Sequence, residues 1–313
     1  MSTLTCRRSV LVGVLVLLSG CGTSWPQTEP WPTPPAAPAP TTQTAPHAPP
    51  RPFVIWDATL FKDKPPTPGM RPIICTGNFD RTEAGLRKLT RQAADARTPL
   101  VLDIEDLPID LRKDKPQAVA ESLQKLQQYV EWAKREAPNL QLGYYSLLPL
   151  SEYYALMGHG YATNDPGQTG AWWRKQTPPV EQRLKDWQAA SRALEPLAAK
   201  VDFICPGMYA PDEDIKGWSY YAKPKLAEAR RYGKPVYPFL WFQLFGRGPT
   251  YKPVSPEFWR AQLQAVYDEG CEGVIIWGGW DFVAGRRGDW DENAPWWKVT
   301  RDFIAQHPHP QTP

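Results

Sequence analysis

From residue 52 onward, short apolar runs alternate with longer stretches whose apolar positions recur every three to four residues. The short runs are "FVIW" (53–56), "PIICT" (72–76), "PLVLDIE" (99–105), "LQLGYYS" (140–146), "VDFICPGMY" (201–209), "PVYPFLWF" (235–242) and "GVIIWGG" (273–279). Most are apolar at successive positions, the pattern of a strand buried on both faces. Helical periodicity covers 81–97, 117–137, 180–200, 219–232 and 256–269, the last with Pro256 in its first turn. Strands of this kind, each followed by a helix, predict a parallel sheet covered by helices. The length suits a closed barrel, and no Gly-x-Gly-x-x-Gly turn points to an open dinucleotide-binding sheet. The expected fold is α/β, a distorted (β/α) TIM-type barrel of seven parallel strands. The interval 147–200 reads as one helix and a long loop, without a strand.

Ahead of residue 52 the pattern changes. Arg7 and Arg8 precede an apolar run at 10–18, too short for a membrane span. It ends in Leu18-Ser19-Gly20-Cys21, which resembles the lipobox of bacterial lipoproteins. The expectation is a signal peptide over 1–20, a lipid on Cys21 and a Pro/Ala/Thr-rich tether over 21–51. A plain secretory signal is the alternative reading. The folded domain is expected over 52–307, with a short tail at 308–313. This organisation implies a bacterial cell-envelope protein, anchored to a membrane on the periplasmic or cell-surface side.

Composition narrows the function. Net charge is +3, and no dense basic patch with interleaved aromatics exists, so nucleic acid is not an expected partner. Of 4 His residues only His159 falls within the domain's core region, on the predicted loop, so no His-based metal site is available. Nothing implies a cofactor, and the chain reads as a monomer. Cys75, Cys205 and Cys271 allow at most one disulfide after processing, and the last two sit in apolar runs as expected buried thiols. With 15 Trp residues, the clusters at 171–179 and 290–297 read either as a saccharide groove or as pins holding loops to the barrel.

"VLDIED" (101–106) carries the chemistry. Asp103 and Glu105 are two residues apart on a strand, so both point to one face with Cα atoms about 6.6 Å apart. They lie at the C-terminal end of their strand, where barrel enzymes place catalytic groups. Two carboxylates this close do not ionise independently, and one tends to keep its proton. The competing reading is a salt-bridge network with a barrel Lys or Arg. Tyr145, Tyr209 and Trp277 fall at the ends of other strands, so acids, hydroxyls and a flat apolar face share one mouth, as a sugar site requires.

In order along 52–282, "PFVIWDA", "VLDIED", "GYYSLLP", "FICPGMYAP", "KPVYPF" and "GVIIWGG" resemble the strands of the hyaluronidases, glycoside hydrolase family 56. The resemblance implies a seven-stranded barrel and substrate-assisted, retaining cleavage of a β-linked N-acetylhexosaminide. It implies Glu105 as general acid and base, and Asp103 as the holder of the substrate's acetamido group. Tyr145 and Tyr209 would hydrogen-bond around that group, with Trp277 beneath its methyl. The family continues after Asp-x-Glu with an acid, a Trp and an Arg; this chain has Asp106, Leu107 and Pro108. The implied substrate is therefore an N-acetylhexosamine-containing polysaccharide rather than hyaluronan itself. Asp57, which stands where the family has Asn, and Asp281, after the last strand, are further candidate substrate contacts. Two alternatives stay open: a glycosidase for another sugar, pairing Glu105 with Asp57 or Asp281, and a polysaccharide-binding envelope protein without catalysis.

Overall fold

The computed structural model describes residues 52–165, 172–175, 178–245 and 251–307. The signal peptide, Cys21, the tether and the tail expected from the sequence lie outside the described residues, as do the side chains of Trp172 and Trp173. None of the described helices is long and apolar enough to cross a membrane.

Seven staves close into a parallel barrel. The first is β1 (Val54–Thr59), and the second comprises β2 (Met70–Pro72) and β3 (Ile74–Thr76). The third and fourth are β4 (Leu100–Leu102) and β5 (Leu142–Tyr144). Residues 203–209 form the fifth, β6 (Phe239–Trp241) the sixth and β7 (Gly273–Gly278) the seventh. β1 pairs with both β2 and β7, and β6 pairs with β7, while β3, β4 and β5 form the other continuous ladder. The second stave changes partner at Ile73: β2 bonds to β1, β3 to β4. On the opposite side the two ladders meet through single bridges, Tyr145 to Cys205, Ile204 to Val236 and Gly207 to Phe239. Pro206 and Pro238 explain the broken pairing there, because each removes a ladder donor.

The alternation of side chains sorts the core into two shells. Outward residues such as Ile55, Leu100, Leu102, Ile104, Leu142, Tyr144, Leu240, Val274 and Ile276 pack under the helices. Inward residues Ala58, Ile73, Val101, Phe203, Cys205, Phe239 and Ile275 fill the barrel. Trp56, Cys75, Tyr145, Tyr209, Tyr237 and Trp277 pack against that inner group.

The outer layer comprises α1 (Glu83–Asp95), α2 (Pro116–Glu136), α3 (Tyr153–Asn164), α4 (Val180–Arg192), α5 (Glu195–Ala198), α6 (Ile215–Arg230), α7 (Pro256–Asp268) and α8 (Pro295–Gln306). Caps fix several starts: the Thr82 side chain accepts from Gly85 N–H, and that of Ser255 from Phe258 N–H. Two features depart from the sequence reading, and a third decides between its alternatives. The segment read as a long loop after the fourth strand contains α3, so His159 lies on a helix. This helix is apolar nearly all round, and its buried face includes glycines, so no amphipathic stripe announces it. The 290–297 cluster runs into α8, where Trp296 and Trp297 are buried as packing residues. Helix α6 starts four residues earlier than its periodicity implied, capped by the Asp214 side chain accepting from Gly217 N–H.

Candidate active site

Asp103 and Glu105 continue the inward parity of Val101 past the end of β4. Asp103 N–H donates to Thr76 O at 3.0 Å, so the chain after β4 still runs beside the second stave. Gly77 makes that approach possible: a Cβ there would lie 2.8 Å from the Asp103 carbonyl oxygen and 3.6 Å from its Cβ and Cγ.

Neither carboxylate has a hydrogen-bond or ion-pair partner among the described residues. Asp103 is half-buried, and Glu105 is exposed. Burial pushes the Asp103 carboxyl up to about 6, and the Arg81 charge opposes that rise. Burial, then the neighbouring Asp103 charge, pushes Glu105 up to about 7. Arg81 does not pair with either. Its Nη1 lies 2.7 Å from both oxygens of Asp106, which neutralises the nearest cation. The salt-bridge alternative for the Asp-x-Glu pair is thus not what forms.

Tyr145 and Tyr209 come together beside the acids. Their rings lie 6.0 Å apart with 34° between planes. Asp103 raises both phenols and Glu105 raises Tyr145, though burial is the larger cause in each. Ser146, immediately after Tyr145, adopts φ 55°, which turns the chain at the rim. Gly207 lets the fourth and fifth staves approach; a Cβ there would lie 2.7 Å from Ser146 Oγ and 3.4 Å from Tyr145 Oη. Trp277 stacks on Tyr209 at 5.9 Å with 27° between planes. Cys75, on the same inward parity, lies close enough that burial, Asp103 and Glu105 together push its thiol well up.

Two sequence candidates sit elsewhere. Asp57 has the outward parity of β1, and its carboxylate accepts from Lys64 Nζ at 2.5 Å, Thr67 Oγ1 at 2.7 Å and Thr59 Oγ1 at 2.7 Å. Burial raises its pKa, but these donors prevail and the net direction is downward. It is a satisfied structural ion pair. Asp281 follows β7 in a short hairpin of β8 (Trp280–Asp281) and β9 (Arg286–Arg287). Its Oδ1 accepts from the N–H groups of Val283 and Ala284, both at 2.9 Å, as a turn cap.

Several residues at the mouth were not singled out in the sequence. Trp241 has the inward parity of Phe239 at the end of β6, the same position that marked Trp277, and the rings lie 5.0 Å apart. Arg81 carries no local signal, since its partner is 25 residues away. A separate cavity of about 230 Å³, lined by Phe61, Phe242, Pro253, Asp291, Trp296 and neighbours, shares none of the acid-pair residues. No group of three or more His, Cys, Asp or Glu among the described residues could hold a metal.

A barrel with an acid pair at its C-terminal mouth, walled by Tyr and Trp, defines a class by its fold: the distorted (β/α) barrels. The solved structures this chain is similar to include particular members. Bee venom hyaluronidase aligns over 81% of this chain and 97% of its own, at 14% identity and TM-score 0.50. The same enzyme with a hyaluronic acid tetramer aligns over 80% and 84%, at 15% identity and TM-score 0.45. An endo-1,4-β-D-mannanase of Thermotoga petrophila RKU-1 aligns over 76% and 76%, at 15% identity and TM-score 0.41. The first of these likenesses, together with the strand pairing above, shows the fold, a distorted TIM barrel. No family model and no curated protein matches the sequence.

Proposed function

We propose that this chain is a glycoside hydrolase of β-linked, N-acetylhexosamine-containing polysaccharide, working by substrate-assisted retention. One observation carries the proposal. Two adjacent carboxyl groups stand at the barrel mouth, raised to about 6 and about 7, with no hydrogen-bond or ion-pair partner among the described residues.

The resemblance to hyaluronidases implies the steps, and the acid pair at the mouth supports them. Glu105, protonated, donates its proton to the glycosidic oxygen as the bond from the anomeric carbon to that oxygen breaks. The substrate's acetamido carbonyl oxygen attacks the anomeric carbon from the opposite face and forms a cyclic intermediate. Asp103, ionised, accepts the acetamido N–H and stabilises the positive charge that develops there. Glu105, now a carboxylate, takes a proton from water, whose oxygen opens the ring with net retention. This departs from the ordinary two-carboxylate scheme, because the nucleophile belongs to the substrate. Tyr145 and Tyr209 supply hydroxyls around the acetamido group, and Trp277 supplies an apolar floor for its methyl. The motifs shared with hyaluronidases support these roles. Leu107 and Pro108, where that family has Trp and Arg, set the substrate apart from hyaluronan.

The lipobox-like Leu18-Ser19-Gly20-Cys21 and the Pro-rich stretch after it support a lipid-anchored envelope protein that presents the barrel to polymer. The proposal includes a monomeric enzyme with no nucleic-acid partner.

The test is hydrolysis of acetylated and deacetylated β-linked glycans by the wild type and Glu105→Gln. Loss of the general acid is expected to lower turnover by about 10²–10⁴-fold while binding persists. Proton NMR of the first product should show the retained anomer. Cleavage of fully deacetylated polymer at the same rate would overturn the acetamido mechanism. Binding with no cleavage of any glycan would overturn the hydrolase and leave the carbohydrate-binding alternative.

A further inference from the structure

We infer that an aromatic shelf on the β6–β7 side of the mouth is an extended binding subsite for the glycan chain, beyond the sugar held over the acids. The inference rests on the hydrolase reading above and deepens it.

The shelf starts at Tyr209, which belongs to both regions. Its ring lies 6.0 Å from that of Tyr145 beside the acids and packs on Trp241 at 5.4 Å and Phe245 at 6.4 Å. From Trp241 the surface spreads to Tyr251 at 5.1 Å and Phe282 at 5.8 Å, and those two rings touch at 4.3 Å. Trp241 is almost fully buried and backs the rest, whereas Phe245 is 50% exposed and Val283, next to Phe282, is 69% exposed. An exposed large apolar residue joined to a contiguous aromatic cluster, as Phe245 is through Tyr209 and Trp241, marks a binding surface.

The shelf is held rigidly, as a preformed site requires. Trp241 Nε1 donates to Gln243 Oε1 at 3.0 Å, and Gln243 Nε2 donates to Tyr251 O at 2.9 Å. Phe245 N–H donates to Ala210 O at 2.7 Å, which ties the end of β6 to the loop after Tyr209. The Asp281 turn cap fixes the backbone that carries Phe282 and Val283. Asp281 thus acts on the site by shaping this shelf, not by touching the reacting sugar.

The chemistry of the surface fits a sugar. A pyranose presents a face of C–H bonds, which an aromatic face attracts, and hydroxyls at its edge that stay in water. A monosaccharide above the acid pair meets Trp277 and Tyr209. A chain of linked sugars continuing past those two rings would meet Phe282, 6.2 Å from Trp277, Phe245, 6.4 Å from Tyr209, and then Tyr251.

The experiment uses the full chain carrying Glu105→Gln, so that ligand survives. β-Linked oligosaccharides of one to six units, in N-acetylglucosamine, hyaluronan, mannan and xylan series, are titrated by calorimetry. In the series that binds, affinity should rise at least about tenfold from two units to six. Phe282→Ala and Phe245→Ser should each cut that gain to below about threefold. Phe245 is half in solvent, so its replacement leaves the fold intact and the readout interpretable. A gain that persists in both variants overturns the shelf, as does affinity independent of length or no binding in any series. An apolar dye that binds in a Phe282-dependent way and that no oligosaccharide displaces also overturns it, assigning the surface to an apolar partner. Length-dependent binding without cleavage by the wild type sinks the hydrolase and keeps the shelf. Cleavage without length dependence does the reverse.

Discussion

Asp103 and Glu105 are raised by the wall around them, and this sets the pH behaviour. The proposed chemistry needs Glu105 protonated and Asp103 ionised. With values of about 6 for Asp103 and about 7 for Glu105, kcat/KM should peak between pH 6 and 7 and fall on both sides. The two limbs belong to the pair, not to one residue each. Arg81 lowers Asp103, so Arg81→Ala should move the acid limb to higher pH in initial-rate profiles. Stability follows the same groups with a defined sign. A carboxyl raised on folding costs nothing below its unfolded value, near 3.8 for Asp103, and its full penalty applies above about 6. Asp103→Asn should therefore raise the melting temperature at pH 8 and leave it nearly unchanged at pH 3. After discounting for partial solvation, the gain is on the order of 1–2 kcal/mol. Scanning calorimetry at the two pH values checks it; an equal effect at both would remove the desolvation argument.

At the scale of elements, the site depends on how closely the second and third staves approach. Gly77→Ala places a methyl 2.8 Å from the Asp103 backbone oxygen, which cannot rotate away. The end of β4 must shift, and turnover should fall about tenfold or more with a smaller change in KM. The same elements show what the sequence could and could not reveal. The staves were legible because runs such as "GVIIWGG" are apolar at every position, and the acid pair because parity carries from Val101 to Asp103 and Glu105. Helix α3 was not legible, since burial on most sides erases the amphipathic stripe. Trp296 and Trp297 read ambiguously because a Trp pair looks alike in a groove and in a core. Asp57 and Asp281 were acids near strand ends, but contacts with Lys64, Thr67 and a turn at 283–284 depend on loops that no local pattern announces.

For the whole molecule, closure of the barrel is the central energetic feature, and the β1–β7 seam completes it. At Gly273 a Cβ would lie 2.1 Å from the Val54 carbonyl oxygen, so Gly273→Ala must part the strands. The expected loss is about 3 kcal/mol, or about 6–12 °C in Tm for a domain of this size. Thermal unfolding read by both near- and far-ultraviolet dichroism should shift together, because no stave is stable without its neighbours. The reacting acids take no part in this closure. No described residue bonds to the Asp103 or Glu105 carboxylate, and the Asp103 N–H bond to Thr76 O is backbone, so neutral residues there leave an intact, well-folded molecule behind. Among descendants of this gene, then, chemistry and architecture are free to be inherited separately. Lineages that keep both acids would reveal selection for turnover, and lineages that lose them would persist as folded shells available for other work.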